Sequence, residues 1–296
     1  MNNENEPGSA WTAAQVSPMS ISDVVVTHSE ARVLDGLSAH HSQLTDAYVH
    51  VTEPEVPDSK TSACFRSAQQ VVNMVYPGDK AGLKLVDLGC LEGGYSAGFA
   101  RLGFDVLGIE VRDYNYARCE ALQRRAGLSN LRFVKDDVMN IDSYGEFDVG
   151  FCCGILYHLD RPVEFLAKLA TSIKKLLIIE THFSLAEKTK SRFKLGDLVL
   201  HEGVEGRWYK EFESHTPESV RQHKRYAWSS LRNDASFWIR REQLLELLYH
   251  FGYQTVFEQF DGLAPNIAEN LDLQYPDLLR GTFVAIRNDY PPTHLR

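Results

Sequence analysis

Asp87, Gly89, Gly93, Gly94 and Glu110 are the residues of this chain whose types and order point most directly to chemistry. Glycine accepts backbone conformations that a side chain would block, so a glycine turn lets main-chain N–H groups come close to a ligand. When that turn joins a strand to a helix, the helix N-terminus adds its own partial positive charge. An acid at the end of the next strand is placed to accept both hydroxyls of a ribose. Glu110 occupies that place, after Asp105-Val106-Leu107-Gly108-Ile109. Further on, His158 and His182 each follow an apolar run, and Glu180 precedes the second of them. Histidine titrates near neutrality, which suits it to take a proton from a reacting hydroxyl.

The elements that must carry these groups alternate. Apolar runs bounded by glycines and polar residues predict strands over 83–88, 105–109, 131–134, 147–152 and 176–179. Between them, helical spacing of apolar residues predicts helices over 95–102, 114–126 and 162–172, the last opening on Pro162, a favourable first-turn residue. Helices are also predicted over 29–50 and 62–75. Such alternation calls for a parallel sheet with helices on both faces, an α/β doubly wound fold of the Rossmann-like kind. The rhythm stops over 183–237, which is rich in charge, histidine and aromatic groups. It resumes with a helix over 241–251 and strands over 253–257 and 282–286. Ligands bind at the carboxyl edge of such sheets, so a long insertion after the fifth strand is expected to cap a substrate site. The chain therefore divides into a flexible 1–28, a helical extension 29–78, a cofactor-binding core 79–182, an insertion 183–237 and a closing segment 238–296.

The glycine spacing does not match the G-x-G-x-x-G of dinucleotide sites. The run Val86-Asp87-Leu88-Gly89-Cys90-Leu91-Glu92-Gly93 instead resembles the first motif of class I S-adenosylmethionine-dependent methyltransferases, roughly V-D-x-G-C-x-x-G. The resemblance implies a seven-stranded sheet closed by a C-terminal hairpin. It places Asp87 near the methionine moiety of S-adenosylmethionine, Gly89 and Gly93 against the cofactor, and Glu110 on its ribose. Asp136-Asp137-Val138 follows the third strand, where the family has an acid on the adenine amine; Asp137 is the better match. Val138 and Cys153 complete the implied cofactor set. Gly154-Ile155-Leu156-Tyr157-His158-Leu159 resembles a segment found in small-molecule and sugar O-methyltransferases, and also in enzymes that modify the wobble uridine of tRNA. His158 and His182 are the candidate bases. Tyr157, Glu180, Arg207, Trp208, Tyr209 and Trp238 are the candidate acceptor contacts, because aromatic rings beside Arg suit a planar or sugar ring or an anionic group. His201, His215 and His223 are weaker candidates for the base, since nothing in the sequence fixes their position.

Composition narrows the function classes. With 296 residues, 44% hydrophobic and 24% charged, the chain reads as globular. A net charge of −9 weighs against a long nucleic-acid footprint, which would need a local basic face. Cys64, Cys90, Cys119, Cys152 and Cys153 form no C-x-x-C pair and read as reduced thiols of a cytoplasmic protein. The polar start of the chain is not a secretory signal, and no apolar stretch is long enough to span a bilayer. No metal motif is present, so no metal is expected. The expected function is methylation of a hydroxyl on a small-molecule acceptor, a sugar or natural product. The alternatives are a tRNA wobble-uridine modifier, a cofactor-binding module without catalysis and, disfavoured by the glycine spacing, a nicotinamide oxidoreductase. Oligomeric state and the identity of the acceptor stay open.

Overall fold

The computed structural model describes residues 62–188, 191–211, 229–260, 267–269 and 278–288. The expectations for 1–28 and for a helix over 29–50 lie outside these residues, as do His215 and His223.

Helix α1 (Ala63–Val75) starts at Ser62, whose hydroxyl accepts the Phe65 N–H at 3.2 Å and so caps the first turn. Then come β1 (Lys84–Leu88), α2 (Gly94–Arg101), β2 (Asp105–Glu110), α3 (Asp113–Ala126) and β3 (Leu131–Lys135). After a short 3-10 segment follow β4 (Phe147–Cys153), α4 (Pro162–Ser172) and β5 (Ile173–His182). The seven-stranded sheet runs β3-β2-β1-β4-β5-β10-β9. Its first five strands are parallel; β10 (Arg280–Ile286) is antiparallel to both β5 and β9 (Thr255–Gln259). The chain leaves β1 in one direction toward β2 and β3, and returns to the other side of β1 at β4. That reversal opens a crevice at the carboxyl ends of β1 and β4, where α/β sheets bind ligands.

Period-2 alternation divides the apolar residues between two cores. Leu85, Val149, Phe151, Leu176 and Ile178 pack with Phe65, Val71 and Phe99 on the face covered by α1 and α2. Val86, Leu88, Cys152, Leu177 and Ile179 pack on the opposite face with Phe165 and Leu169 of α4 and with Leu244 and Leu248 of α5 (Arg241–His250). With both faces covered, these strands read as near-continuous apolar runs, which is why the sequence shows them.

The stretch without rhythm is a second sheet. β6 (Leu195–His201), β7 (Val204–Lys210) and β8 (Ala235–Ile239) form an antiparallel sheet in that order, between β5 and α5. Phe237 and Trp238 of β8 join the core on the α4 face. Gly206 in β7 is required there: a Cβ would meet the Phe237 ring and the Trp238 carbonyl at 2.5 Å.

Candidate active site

β1 delivers Asp87 and the glycine turn. Asp87 is buried at the strand's end and accepts the Ser96 hydroxyl of α2 at 2.6 Å. Burial pushes its carboxyl up to about 7, against the pull of the Ser96 bond, and the nearby Glu110 raises it further. Gly89 and Gly93 have φ of +70° and +82°, so both need the left-handed freedom expected of them. The space beside them is differently used. A Cβ on Gly89 would lie 2.1 Å from Ile155 Cδ1, and one on Gly93 would lie 2.5 Å from the Phe133 ring. On the Cβ side, the protein's own side chains pack into the room these glycines leave.

Glu110 ends β2, buried, with each carboxylate oxygen holding one main-chain N–H: Leu91 at 3.0 Å and Arg112 at 2.8 Å. Its carboxyl is raised by burial and opposed by those two donors and by the Arg112 charge. Leu91 sits at φ +51°, so Glu110 stabilises a backbone conformation that a leucine seldom adopts. Asn115 of α3 lies against the same carboxylate, and its buried Nδ2 makes no full hydrogen bond. A buried donor left over beside a carboxylate fits the pair of hydroxyls that a ribose offers.

After β3, the two aspartates separate in role. Asp136 accepts from the Asp137 N–H, from Asn140 and from Tyr144, which closes its oxygens within the fold. Asp137 uses one oxygen to cap the 3-10 turn through the Met139 N–H at 3.0 Å, and the other lies 3.3 Å from Arg232. Val138 is buried beside it. At the end of β4, the Cys153 and Cys64 thiols are 3.3 Å apart, and Cys153 donates to Glu180 at 3.6 Å. All five cysteines are free thiols.

The candidate acceptor side lies at the ends of β4 and β5. Glu180 is buried and held by Arg280 of β10, whose Nη2 donates at 2.8 Å. The Arg280 guanidinium sits over the Tyr157 ring, 5.8 Å from its centroid. His182 is buried, stacked on Trp238 at 4.7 Å and edge-on to Tyr157 and Phe193. Its Nδ1 donates to the carbonyls of Leu278 and Leu279 at 2.9 and 3.2 Å. Burial, then the Arg280 charge, hold its pKa well below the usual value, so it stays neutral. His158 is less deeply set. Its Nδ1 is 2.8 Å from Glu211, whose side chain is only 3% exposed.

The insertion residues divide. Tyr209 stacks on Trp238 at 5.0 Å and so borders the His182 cluster. Trp238 is itself core: 1% exposed, its indole N–H donates to the Tyr157 carbonyl at 3.0 Å. Trp208 points the other way, against His201 and Phe237. Arg207 is buried and donates to the carbonyls of Leu185, Gly196 and Ala186 at 3.1, 3.0 and 2.7 Å. The Arg207 guanidinium is thus spent on main-chain carbonyls of the fold, and the Trp208 ring packs on His201 and Phe237 rather than on the His182 cluster. Glu211, Arg112, Asn115 and Arg280 were not singled out as site residues by the sequence. Only Glu110 neighbouring Arg112 gave any signal; the Glu211–His158 pairing spans 53 residues and leaves no local trace. Among the described residues, no three His, Cys, Asp or Glu side chains form a group able to hold a metal.

This geometry has relatives. Residues 86–176 match the methyltransferase domain family. They form a class I S-adenosylmethionine-dependent methyltransferase domain. The chain is 36% identical over 107 residues to a tRNA U34 carboxymethyltransferase of Desulfotalea psychrophila, covering 35% of this chain and 33% of the relative. It is 29% identical over 101 residues to a ubiquinone biosynthesis O-methyltransferase of Acinetobacter baylyi, covering 33% and 42%. The chain thus spans a third to about two fifths of the length of these two curated relatives. The N-terminal domain of EvdMO1, crystallised with S-adenosylhomocysteine, shares the fold of the methyltransferase domain and its hairpin. The TM-score is 0.56 at 21% identity, over 77% of this chain and 82% of that one. Among the described residues, no helix is long and apolar enough to cross a membrane.

Proposed function

We propose that the protein moves a methyl group from S-adenosylmethionine to a hydroxyl of a small-molecule acceptor, a sugar or natural product. The observation that carries the cofactor half is the Glu110–Asn115 pair, a buried carboxylate and a leftover amide donor one strand away from the Asp87 glycine turn. In this reading Glu110 takes the ribose hydroxyls and Asp87 stands near the methionine moiety. Asp137 takes the adenine amine, while Gly89, Gly93, Val138 and Cys153 line the cofactor's path. Asp136 drops out because its oxygens accept three hydrogen bonds within the fold, whereas Asp137, among the described residues, accepts one and otherwise meets only the exposed Arg232.

When bound, S-adenosylmethionine would supply an electrophilic methyl carbon on a positively charged sulfur. The protein's share is to hold the acceptor oxygen in line, about 3–3.5 Å away, and to take its proton. A histidine Nε2 would take the acceptor's O–H proton as that oxygen gains the methyl group, the bond pair to the methyl being left on the cofactor's sulfur. His158 suits this better than His182. The carboxylate on its Nδ1 stabilises the imidazolium as it forms, whereas His182 has only neutral carbonyls there and the Arg280 cation nearby. Tyr157, Glu180 and Tyr209 would then border the acceptor, with Trp238 packed behind them as core. The ubiquinone relative supports oxygen as the methylated atom.

Calorimetric titration with S-adenosylhomocysteine, with NADH as control, tests the cofactor half. Micromolar binding of the first alone is expected; binding of NADH alone or of neither would remove the reading. The likeness to the tRNA U34 enzyme supports a second reading, in which the acceptor is a tRNA wobble uridine. A mobility shift of total tRNA that weakens steeply with salt would favour it, and no shift at low salt would end it.

A further inference from the structure

The carboxylate of Glu211 is almost fully covered and lies just past β7, far in sequence from the main sheet. A buried carboxylate is costly unless donors surround it. Here they do. Oε1 accepts the Ser236 hydroxyl at 2.7 Å and Oε2 accepts the Ser230 N–H at 3.4 Å. The remaining partner is Nδ1 of His158 at 2.8 Å. A carboxylate only accepts, so a proton must sit on Nδ1 of His158, and in the neutral ring the lone pair is then on Nε2. Among the described residues, that nitrogen has no hydrogen-bond partner.

The main chain of His158 is held from the same side. Asn233 donates to its carbonyl at 3.0 Å and to the Ala235 carbonyl at 2.8 Å, and it pairs through its own carbonyl with Ser230. Arg112 completes the arrangement. Its main-chain N–H holds Glu110, while its Nη2 donates to the Ser229 and Ser230 carbonyls at 2.7 and 3.5 Å. Burial lowers its pKa, and the charges of Glu110 and Glu211 oppose that fall. One arginine thus lies between the acid expected on the ribose and the acid that grips the histidine.

We propose that Glu211 is the positioning residue that fixes His158 as an Nδ1–H imidazole and holds its Nε2 ready for the acceptor's proton. This rests on the methyl-transfer reading above. Glu211 touches neither acceptor nor cofactor; it acts through His158. The plainer alternative is that Glu211 only ties the second sheet to the domain, and the two ideas differ in what happens at Nε2.

Diethyl pyrocarbonate acylates an unprotonated imidazole nitrogen; with Nδ1 covered by Glu211, modification of His158 found by peptide mass mapping of the full chain reports on Nε2. In Glu211→Gln the rate of modification at His158 is expected to fall roughly tenfold, the lower end of the usual effect of losing an orienting partner. S-adenosylhomocysteine affinity is expected to stay unchanged. An unaltered rate overturns the proposal. So does a fall accompanied by loss of cofactor binding, because a structural prop would act in that way. Should Glu211→Gln not fold, nitrogen NMR of the unaltered protein above neutral pH decides the matter: a proton on Nδ1 upholds the proposal and one on Nε2 overturns it. If the unaltered protein fails to bind S-adenosylhomocysteine, the methyltransferase reading falls and takes the role of Glu211 with it. If it binds and His158 ignores Glu211, only the role of Glu211 falls.

Discussion

Ser96 donates its hydroxyl hydrogen to Asp87 across 2.6 Å, joining the first turn of α2 to the end of β1 beneath the glycine turn. The bond eases a charge that burial otherwise opposes, and the balance leaves the Asp87 carboxyl near 7 rather than 3.8. The folded protein therefore keeps this proton over a range in which the unfolded chain has lost it. The associated stability is full at low pH and is lost as pH rises through 7. Asp87→Asn should remove this dependence. From about pH 5 to about pH 7 the stability difference between Asp87→Asn and the parent should grow by on the order of 3 kcal/mol in favour of the variant. Urea unfolding at several pH values measures it, and parallel curves would show that Asp87 is ionised throughout.

Glu110 holds the Leu91 N–H of the glycine turn, the Arg112 N–H just beyond β2 and, in the proposed function, two ribose hydroxyls. Glu110→Ala should weaken S-adenosylhomocysteine binding by roughly 1–3 kcal/mol. An unchanged dissociation constant in calorimetry would refute the assignment.

The two histidines should part in their variants. His158→Ala is expected to lower kcat by about 10²–10⁴ once an acceptor is in hand, with cofactor affinity kept. His182→Ala should act first on stability, because its ring is stacked on Trp238 and packed edge-on to Tyr157 and Phe193. Its pKa lies well below the usual value, so it should add no ionisation to the rate profile around neutral pH. Thermal unfolding and a pH–rate profile separate the pair; the opposite pattern would move the base to His182.

Arg207→Ala leaves three main-chain carbonyls without their donor. A loss of about 1–3 kcal/mol in stability is expected, with S-adenosylhomocysteine affinity unaltered. A stable variant that loses acceptor binding would return Arg207 to the acceptor site.

Gly89→Ala should be tolerated poorly for two separable reasons, the positive φ and the collision with Ile155. Pairing it with Ile155→Ala should recover only part of the lost stability. Full recovery would show that packing alone requires the glycine.

The parallel strands were legible because each is covered on both faces, so the sequence carries apolar runs that stop at glycines and acids. The site acids were legible for the same reason, since Asp87 and Glu110 sit where those runs end. β6, β7 and β8 were not. Their sheet is half exposed, β7 alternates Glu205, Gly206 and Arg207, and the reason for its glycine is a ring on another strand. Trp208 and Trp238 look alike in sequence, yet one packs on His201 and the other under His182. Glu211 was visible in sequence only as the acid just after the Arg207-Trp208-Tyr209 run, with no sign of its partner. Its partner is chosen by tertiary contact, which local pattern does not encode.

The sheet order also sets a schedule for synthesis. Glu180 of β5 pairs with Arg280 of β10, 100 residues further along the chain. At about 5–20 residues per second, a ribosome needs roughly 5–20 s to reach the strand that seals β5. Throughout that interval the ten-residue β5, with the apolar run Leu176–Ile179 at its centre, has an open edge on that side. A chain stalled or cut before β10 would expose a ready template for aggregation, which makes this growing polypeptide a natural client for chaperones.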